Sequence, residues 1–530
     1  EEQSQGQHAK NIMRAYLEWF KSTPERALLL LIGLLDRATS ISELKAIVAL
    51  DEIAGLTSEL RGLTHAQWSY AVKRLCDANL ISIQEIARSR VLECHPLVKE
   101  YSVLQLKNEN EANWRAGNRL LFNYYHKNVP EYPENITEMD NLFRAIMHGT
   151  KAGLYREAFQ MYFFRIKNGY TMLSRGSHYS DQSCLRAFFK EPWSTPVEDL
   201  AEEEQIHLFS SLAANQISLG NIKEAIEPAE KSLTWFLANE RWFEAASYAG
   251  PYISMLIAVG RLDEANMVMD SLDHCVENTK NTVLLAVAQT FHAYVKYLGG
   301  DFASAGDMFV KADRVLTSLE PDSPVAFPTI SSYYCKFLLE TGNFQNALDR
   351  LLKTFGWRKR RTWQVVIDTP SLFASDLLVL GLTFLARNDL VNAKKYLDQQ
   401  VELFRSADEW LYLPTGLHSR ARYFIKICNF DAAITDLEEA LRITTRTGAV
   451  FGEWESYLNF AHLYRVREEA ALCNHYLQKA AALPNMHLYK FRDVEIDRIV
   501  QYVNSASAFI TDEVRDDSVQ TEGFKSAFNR

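Results

Sequence analysis

No stretch of this 530-residue chain is apolar for long enough to cross a membrane. The longest apolar run, Ala27–Leu35, is interrupted by Gly33 and closed by Asp36 and Arg37, which reads as a buried helix. The first ten residues, EEQSQGQHAK, contain no apolar signal-peptide core. The seven cysteines are scattered, form no CxxC pair and are odd in number. That pattern excludes a disulfide framework or a cysteine zinc site and fits a reducing cytoplasm. No GxxxxGK[ST] phosphate loop, GxGxxG, HExxH, GxSxG or HxE…PCxxC motif occurs, and the 13 histidines lack metal-ligand spacing. The chain therefore reads as a non-enzyme that holds no metal and no cofactor of its own. A net charge of −10 disfavours broad binding to nucleic acid, which needs phosphate neutralisation. An initiator Met is also missing, so the chain reads as a piece of a longer protein.

What the sequence does contain is repetition. GNIKEA at 220–225 returns as GRLDEA at 260–265, GDFASA at 300–305 and GNFQNA at 342–347. The leading glycines are 40, 40 and 42 residues apart, and degraded copies follow at Asn388, Cys428 and Glu468. GLYREA at 153–158 is an upstream outlier. A fixed period in this range marks a solenoid of stacked units. The hexamer suits a helix hairpin. A residue tolerant of positive φ turns the chain, and a small Ala lets the two helices approach. Gly and Asn fit the turn, while Cys428 and Glu468 fit it poorly. Apolar stripes flank the turns. Leu262, Ala265, Met269, Leu272 and Val276 form one, and Tyr252, Ile253, Leu256 and Val259 mark its partner helix.

GDFASAGDMFVKA (300–312) and NFDAAITDLEEAL (429–441) resemble tetratricopeptide (TPR) repeats, whose second helix carries A-x3-[aromatic or Leu]-x2-A. Ala305, Phe309 and Ala312 match, as do Ala433, Leu437 and Ala440. The period of about 40 departs from the usual 34, which implies longer helices or connections.

The segment before the repeats is different. Pro24–Leu35, Ser42–Leu50 and a helix capped by Thr64 and running through Trp68, Val72, Leu75 and Ala78 are expected, followed by strands Leu80–Gln84 and Arg90–Cys94. Three helices and a two-stranded wing make a winged-helix pattern. The third helix carries only Lys73 and Arg74 as cations, which leaves DNA reading as a minor alternative. VLECHPLVKEYS (91–102) resembles the end of the winged-helix domain in STAND-class signalling ATPases, the group that includes NB-ARC and NACHT proteins. Those proteins carry a hydrophobic-x-Met-His-Asp-Leu motif, whose places Cys94, His95, Pro96 and Leu97 take here, with Pro96 in place of the Asp. LLLLIGLLDRA (28–38) and GLTHAQWSYAVKRLCDANLIS (62–82) also look like bacterial members. The resemblance implies that His95 touches nucleotide phosphates, given an ATP- or ADP-binding domain upstream; the alternative is a His that caps or packs.

Within the repeats, GWRKRRTW places Arg358, Lys359, Arg360 and Arg361 between Trp357 and Trp363. Cations among aromatics could grip an acidic partner, a phosphate or a single-stranded nucleic acid; the alternative is a solvated helix end. The expected organisation is mostly α: a helical lead-in (1–23), a winged-helix-like domain (24–106), a helical bridge with an irregular connection (107–204), a TPR-like superhelix or α-solenoid (205–505) and a mobile tail (506–530). Residues 166–200 are expected to be a long connection with one short helix, Gln182–Phe189. The resemblance implies a cytoplasmic sensor that binds a protein trigger on its concave face. It would relay the event to an upstream nucleotide-binding domain and release oligomerisation, as in bacterial antiviral defence. The alternatives are a constitutive TPR scaffold and a DNA-binding regulator.

Overall fold

In the computed structural model, residues 13–35, 37–86, 89–130, 136–167, 178–319, 328–360, 370–406 and 410–513 are described. The chain divides into two compact units, residues 1–169 with 183–201, and residues 170–182 with 202–530.

The first unit is built around helix Pro24–Leu35, whose residues Ala27 to Leu35 are all buried. That explains why its apolar run has no polar face: neighbours cover it on every side. Helices Ile41–Leu50 and His65–Asp77 follow. Ser40 caps the first, and Thr64 closes a reciprocal capping box with Gln67 on the second. Strands Ile81–Ile86 and Ser89–Cys94 pair antiparallel, with Ile81 opposite Cys94 and Ile86 opposite Ser89. Thr39 adds a bridge to Leu92. The three expected helices and the hairpin are thus present. Helices Pro96–Glu109, Glu111–Asn128, Ile136–Lys151 and Tyr155–Tyr162 complete this unit's helical part.

The irregular connection differs from expectation. Its helix is His178–Arg186, which starts four residues before the expected one. A second β-ladder, Phe189–Glu191 with Thr195–Pro196, occupies residues assigned to loop or helix. Apolar and polar residues alternate too briefly there to announce a strand. Residues 168–177 lie outside the described residues, as do 1–12 and the tail from 514.

The second unit is a TPR-like array of seven helix hairpins, spanning 202–238, 242–279, 282–319, 328–360, 370–406, 413–447 and 450–481. In the first, helices Glu202–Ser218 and Ile222–Ala238 have 17 residues each, and in every hairpin a three-residue turn separates the two helices. Helices of 17–18 residues therefore set the 40-residue period of the first three hairpins. Every hairpin turn uses the left-handed region, with φ of 80° at Gly220, 81° at Gly260, 87° at Gly300 and 76° at Gly342. Asn388 (62°), Cys428 (59°) and Glu468 (61°) adopt it as well. The expectation that Cys428 and Glu468 fit poorly is thus corrected: seven repeated helix pairs impose the turn on them against its local cost. The seams are dry. Ala305, Phe309, Ala312, Ala433, Leu437 and Ala440 are all buried.

Candidate partner-binding site

The last two hairpins turn a polar stripe toward the terminal segment, and helical geometry explains how. Arg420 and Arg422 are two residues apart on helix Leu413–Lys426, so they leave it on opposite faces. Arg420 turns into the seam and pairs bidentately with Asp436, at 2.8 and 2.7 Å. Arg422 turns inward and donates to Asn459 Oδ1 at 2.7 Å and to Glu495 at 3.2 Å. On helix Val450–Val466, Glu455, Asn459 and His462 recur at intervals of four and three, which places all three on one stripe. His418, one turn from Arg422, meets Ser456 Oγ at 2.7 Å through Nε2.

The chain then returns across this surface. After the last hairpin it runs from Pro484 through the short turns Met486–Leu488 and Lys490–Arg492 into helix Asp493–Glu513. This strap lies against the turns of earlier hairpins. A Cβ on Gly260 would stand 2.8 Å from Met486, and one on Gly300 would stand 2.9 Å from Lys490. Both glycines are thus required by close approach as well as by φ. The Tyr489 hydroxyl donates to the Ile257 carbonyl at 2.9 Å, and its ring is buried. The Phe491 ring lies 5.1 Å from that of Tyr297.

Arg492 fastens the strap. Its guanidinium reaches Glu455 on the seventh hairpin at 3.0 Å, Glu340 on the fourth at 2.9 Å and Glu495 at 3.6 Å. Burial opposes the charge on Arg492, yet Glu455, Glu340 and Glu495 hold its pKa well above the usual value. Burial likewise pushes Glu495 up, but Arg422 and Arg492 outweigh it and hold the carboxyl at about 2. Burial lowers His418 and His462 to about 4, so both are neutral near pH 7. Beside the strap a pocket of about 460 Å³ opens, lined by Arg422, His462, Arg465, Arg492, Glu495 and Arg498, with Phe302 and Phe491 among its walls.

The residues singled out from the sequence lie elsewhere. His95 is exposed and caps helix Pro96–Glu109, with the Leu97 N–H donating to its Nδ1 at 3.3 Å. Cys94 beside it is buried, and its thiol points to the Leu80 carbonyl at 3.2 Å. Trp357, Arg358, Lys359 and Arg360 occupy the last turn of helix Phe344–Arg360. Arg361 and Trp363 lie outside the described residues. In helix His65–Asp77, Arg74 is held by Glu25 at 2.9 Å and lies over the ring of Phe20. Sequence reading missed the strap and the inner stripe. The signals were there: polar residues at spacings of four and three inside otherwise apolar helices, and the YKFR cluster at 489–492.

Among the described residues no helix is long and apolar enough to cross a membrane, and no group of three or more His, Cys, Asp or Glu is placed to hold a metal ion. No family model and no curated protein matches this chain. Solved structures with a similar arrangement include a STAND protein with a tetratricopeptide repeat sensor from Pyrococcus horikoshii, at 14% identity and a TM-score of 0.43. That match covers 91% of this chain, and the chain spans 65% of that protein's length. A Rap protein complexed with Competence and Sporulation Factor aligns at 15% identity and a TM-score of 0.42, covering 66% of this chain and 98% of that one. The apo form of RapI aligns at 12% identity and a TM-score of 0.34, covering 66% and 97%. Likenesses this distant assign no shared site or activity.

Proposed function

We propose that this chain is the sensing part of a STAND-type signalling protein. The hairpin array takes up a trigger, chiefly a protein, on its inner face. Residues 24–106 act as a winged-helix-like domain that passes the event to a nucleotide-binding domain upstream, with His95 at the phosphates and oligomerisation as the output. Antiviral defence is a setting that suits such a device. The observation that carries the reading is the strap. A sensor needs two states of different affinity for its trigger, and an array closed over its own inner face by one arginine offers a closed state with a defined release point. The motif resemblance around Cys94, His95, Pro96 and Leu97 supports the relay.

The test is capture from native cytoplasm by the full chain and by Arg492→Ala, in which the strap loses its fastening. A defined protein retained more strongly by the variant supports occlusion of the trigger surface by the strap. Equal capture of one partner by both forms overturns it in favour of a constitutive scaffold. Salt-sensitive retention of DNA alone would point to the regulator instead.

A further inference from the structure

The pocket beside the strap carries more positive charge than its own carboxylates account for. Glu340, Glu455 and Glu495 are the acids of this network, and the two guanidiniums that engage them are Arg422 and Arg492. Arg465 and Arg498 are left over. Among the described residues, Arg465 donates to Nδ1 of His462 at 3.3 Å and meets no carboxylate, and Arg498 makes no ion pair. The His462 ring accepts that bond, so it adds no competing proton donor on that nitrogen.

Two guanidiniums without carboxylates, on adjoining elements and facing one pocket, form a fork for a planar or tetrahedral anion. Phe302 and Phe491 supply flat apolar walls beside it. The volume of about 460 Å³ falls within the range of small-molecule sites, roughly 300–1,000 Å³, and is too small for a folded partner. We infer that this pocket binds a small anionic ligand, one bearing phosphate or carboxylate groups on a partly apolar body, through Arg465 and Arg498.

The ligand would bridge helix Val450–Val466, which carries Arg465, to the terminal helix Asp493–Glu513, which carries Arg498. The strap ends where that terminal helix begins, so occupancy would hold the strap closed. This consequence rests on the sensing reading, whereas the binding itself does not.

The experiment is titration of the full chain with ATP, inorganic pyrophosphate and citrate, followed by calorimetry and by thermal unfolding. At least one probe is expected to bind with a submillimolar Kd, more weakly at higher salt, and to raise the Tm. ATP or pyrophosphate binding without citrate assigns phosphate, and the reverse assigns carboxylate. ATP tighter than pyrophosphate shows that the apolar walls are used. Arg465→Ala/Arg498→Ala should weaken binding at least tenfold, since hydrogen bonds to charged groups are the strong ones, while exposed Arg442→Ala changes nothing. If the double variant is misfolded by circular dichroism, Arg498→Ala alone, on an exposed position of the terminal helix, replaces it. Failure of all three probes at millimolar concentration overturns the site, as does equal binding by the variants. Neither failure touches the capture result with Arg492→Ala, so the two readings fall separately.

Discussion

The seams between the helices and the inner face of the array are built from the same helices by opposite means. The seams bury an alanine or other small residue beside apolar ones at the repeat positions, as at Ala305, Phe309 and Ala312 and at Ala433, Leu437 and Ala440. The inner face does not repeat. Arg422, Glu455, Asn459 and His462 belong to the last two hairpins, and the strap that meets them occurs once. The seams hold the array together by dispersion and loss of apolar surface to water, which tolerate many partners. The inner face is held by a few buried charges, each of which depends on particular partners. Repetition therefore encodes packing, and the places where repetition stops encode what the array does.

The largest expected effect tests the inner face. Arg492→Ala leaves Glu455 buried with its main counter-charge gone, a change that typically costs about 4 kcal/mol. The loss should appear first as faster hydrogen exchange in residues 484–495, before the hairpins open. Uniform loss of protection along the array would show that the strap is not a separate unit.

Leu437→Ala tests the seam. Its side chain is fully buried between helices, and such truncations cost about 3 kcal/mol through lost transfer energy and a residual cavity. Urea unfolding should show that loss with the strap's exchange order unchanged. A cost below about 1 kcal/mol would mean that the seam collapses around the gap and is less rigid than its burial suggests.

The inner face also carries a pH signature. His418 is buried beside Ser456 and Glu455. Burial, then the nearby Arg422 and Arg492, outweighs the pull of Glu455 and lowers its pKa to about 4 from an ordinary 6.5. The unfolded chain takes up this proton more readily, so stability is full above about pH 6.5 and falls as the pH drops towards 4. The expected loss from this group is about 2 kcal/mol between pH 7 and pH 4.5. Glu495, held at about 2, adds its own loss only below about pH 4.5. His418→Gln, which keeps a hydrogen bond to Ser456, should flatten the upper part of the acid limb in urea unfolding. An unchanged limb would assign the acid sensitivity to other groups.

The same contrast explains what was legible in the sequence. The hairpins could be read because Gly220, Gly260, Gly300 and Gly342 recur in phase with an Ala five residues on, and because apolar stripes repeat at helical spacing. The first β-hairpin and the helix before it could be read because Thr64 announces a helix and two short runs flank polar residues. The second ladder at 189–196 could not, because three residues carry too little alternation. The strap could not be placed either. Nothing in YKFR tells which of the seven earlier hairpins Arg492 will reach, since that depends on the path of the whole array. His95 shows the reverse limit: its neighbours made it conspicuous, and the structure gives it a capping bond that a plain structural role also explains.

The smallest effect comes from the turns, where repetition and local cost meet. Gly342 has φ 76°, and a Cβ added there would have no atom within 4 Å. Gly342→Ala therefore isolates the dihedral cost of a left-handed residue from any clash, and should destabilise by about 1 kcal/mol. Cys428 holds φ 59° with its side chain already present. Cys428→Gly relieves that strain but gives the unfolded chain more freedom to lose, so the two terms oppose each other and the gain should be under about 1 kcal/mol. Thermal unfolding of both variants measures the balance. If Cys428→Gly destabilises, the Cys side chain is stabilising its turn, and the sixth hairpin departs from the glycine rule for a reason of its own. If it stabilises, the departure is drift that the neighbouring hairpins absorb, and the seams alone are enough to bend a reluctant residue into the turn.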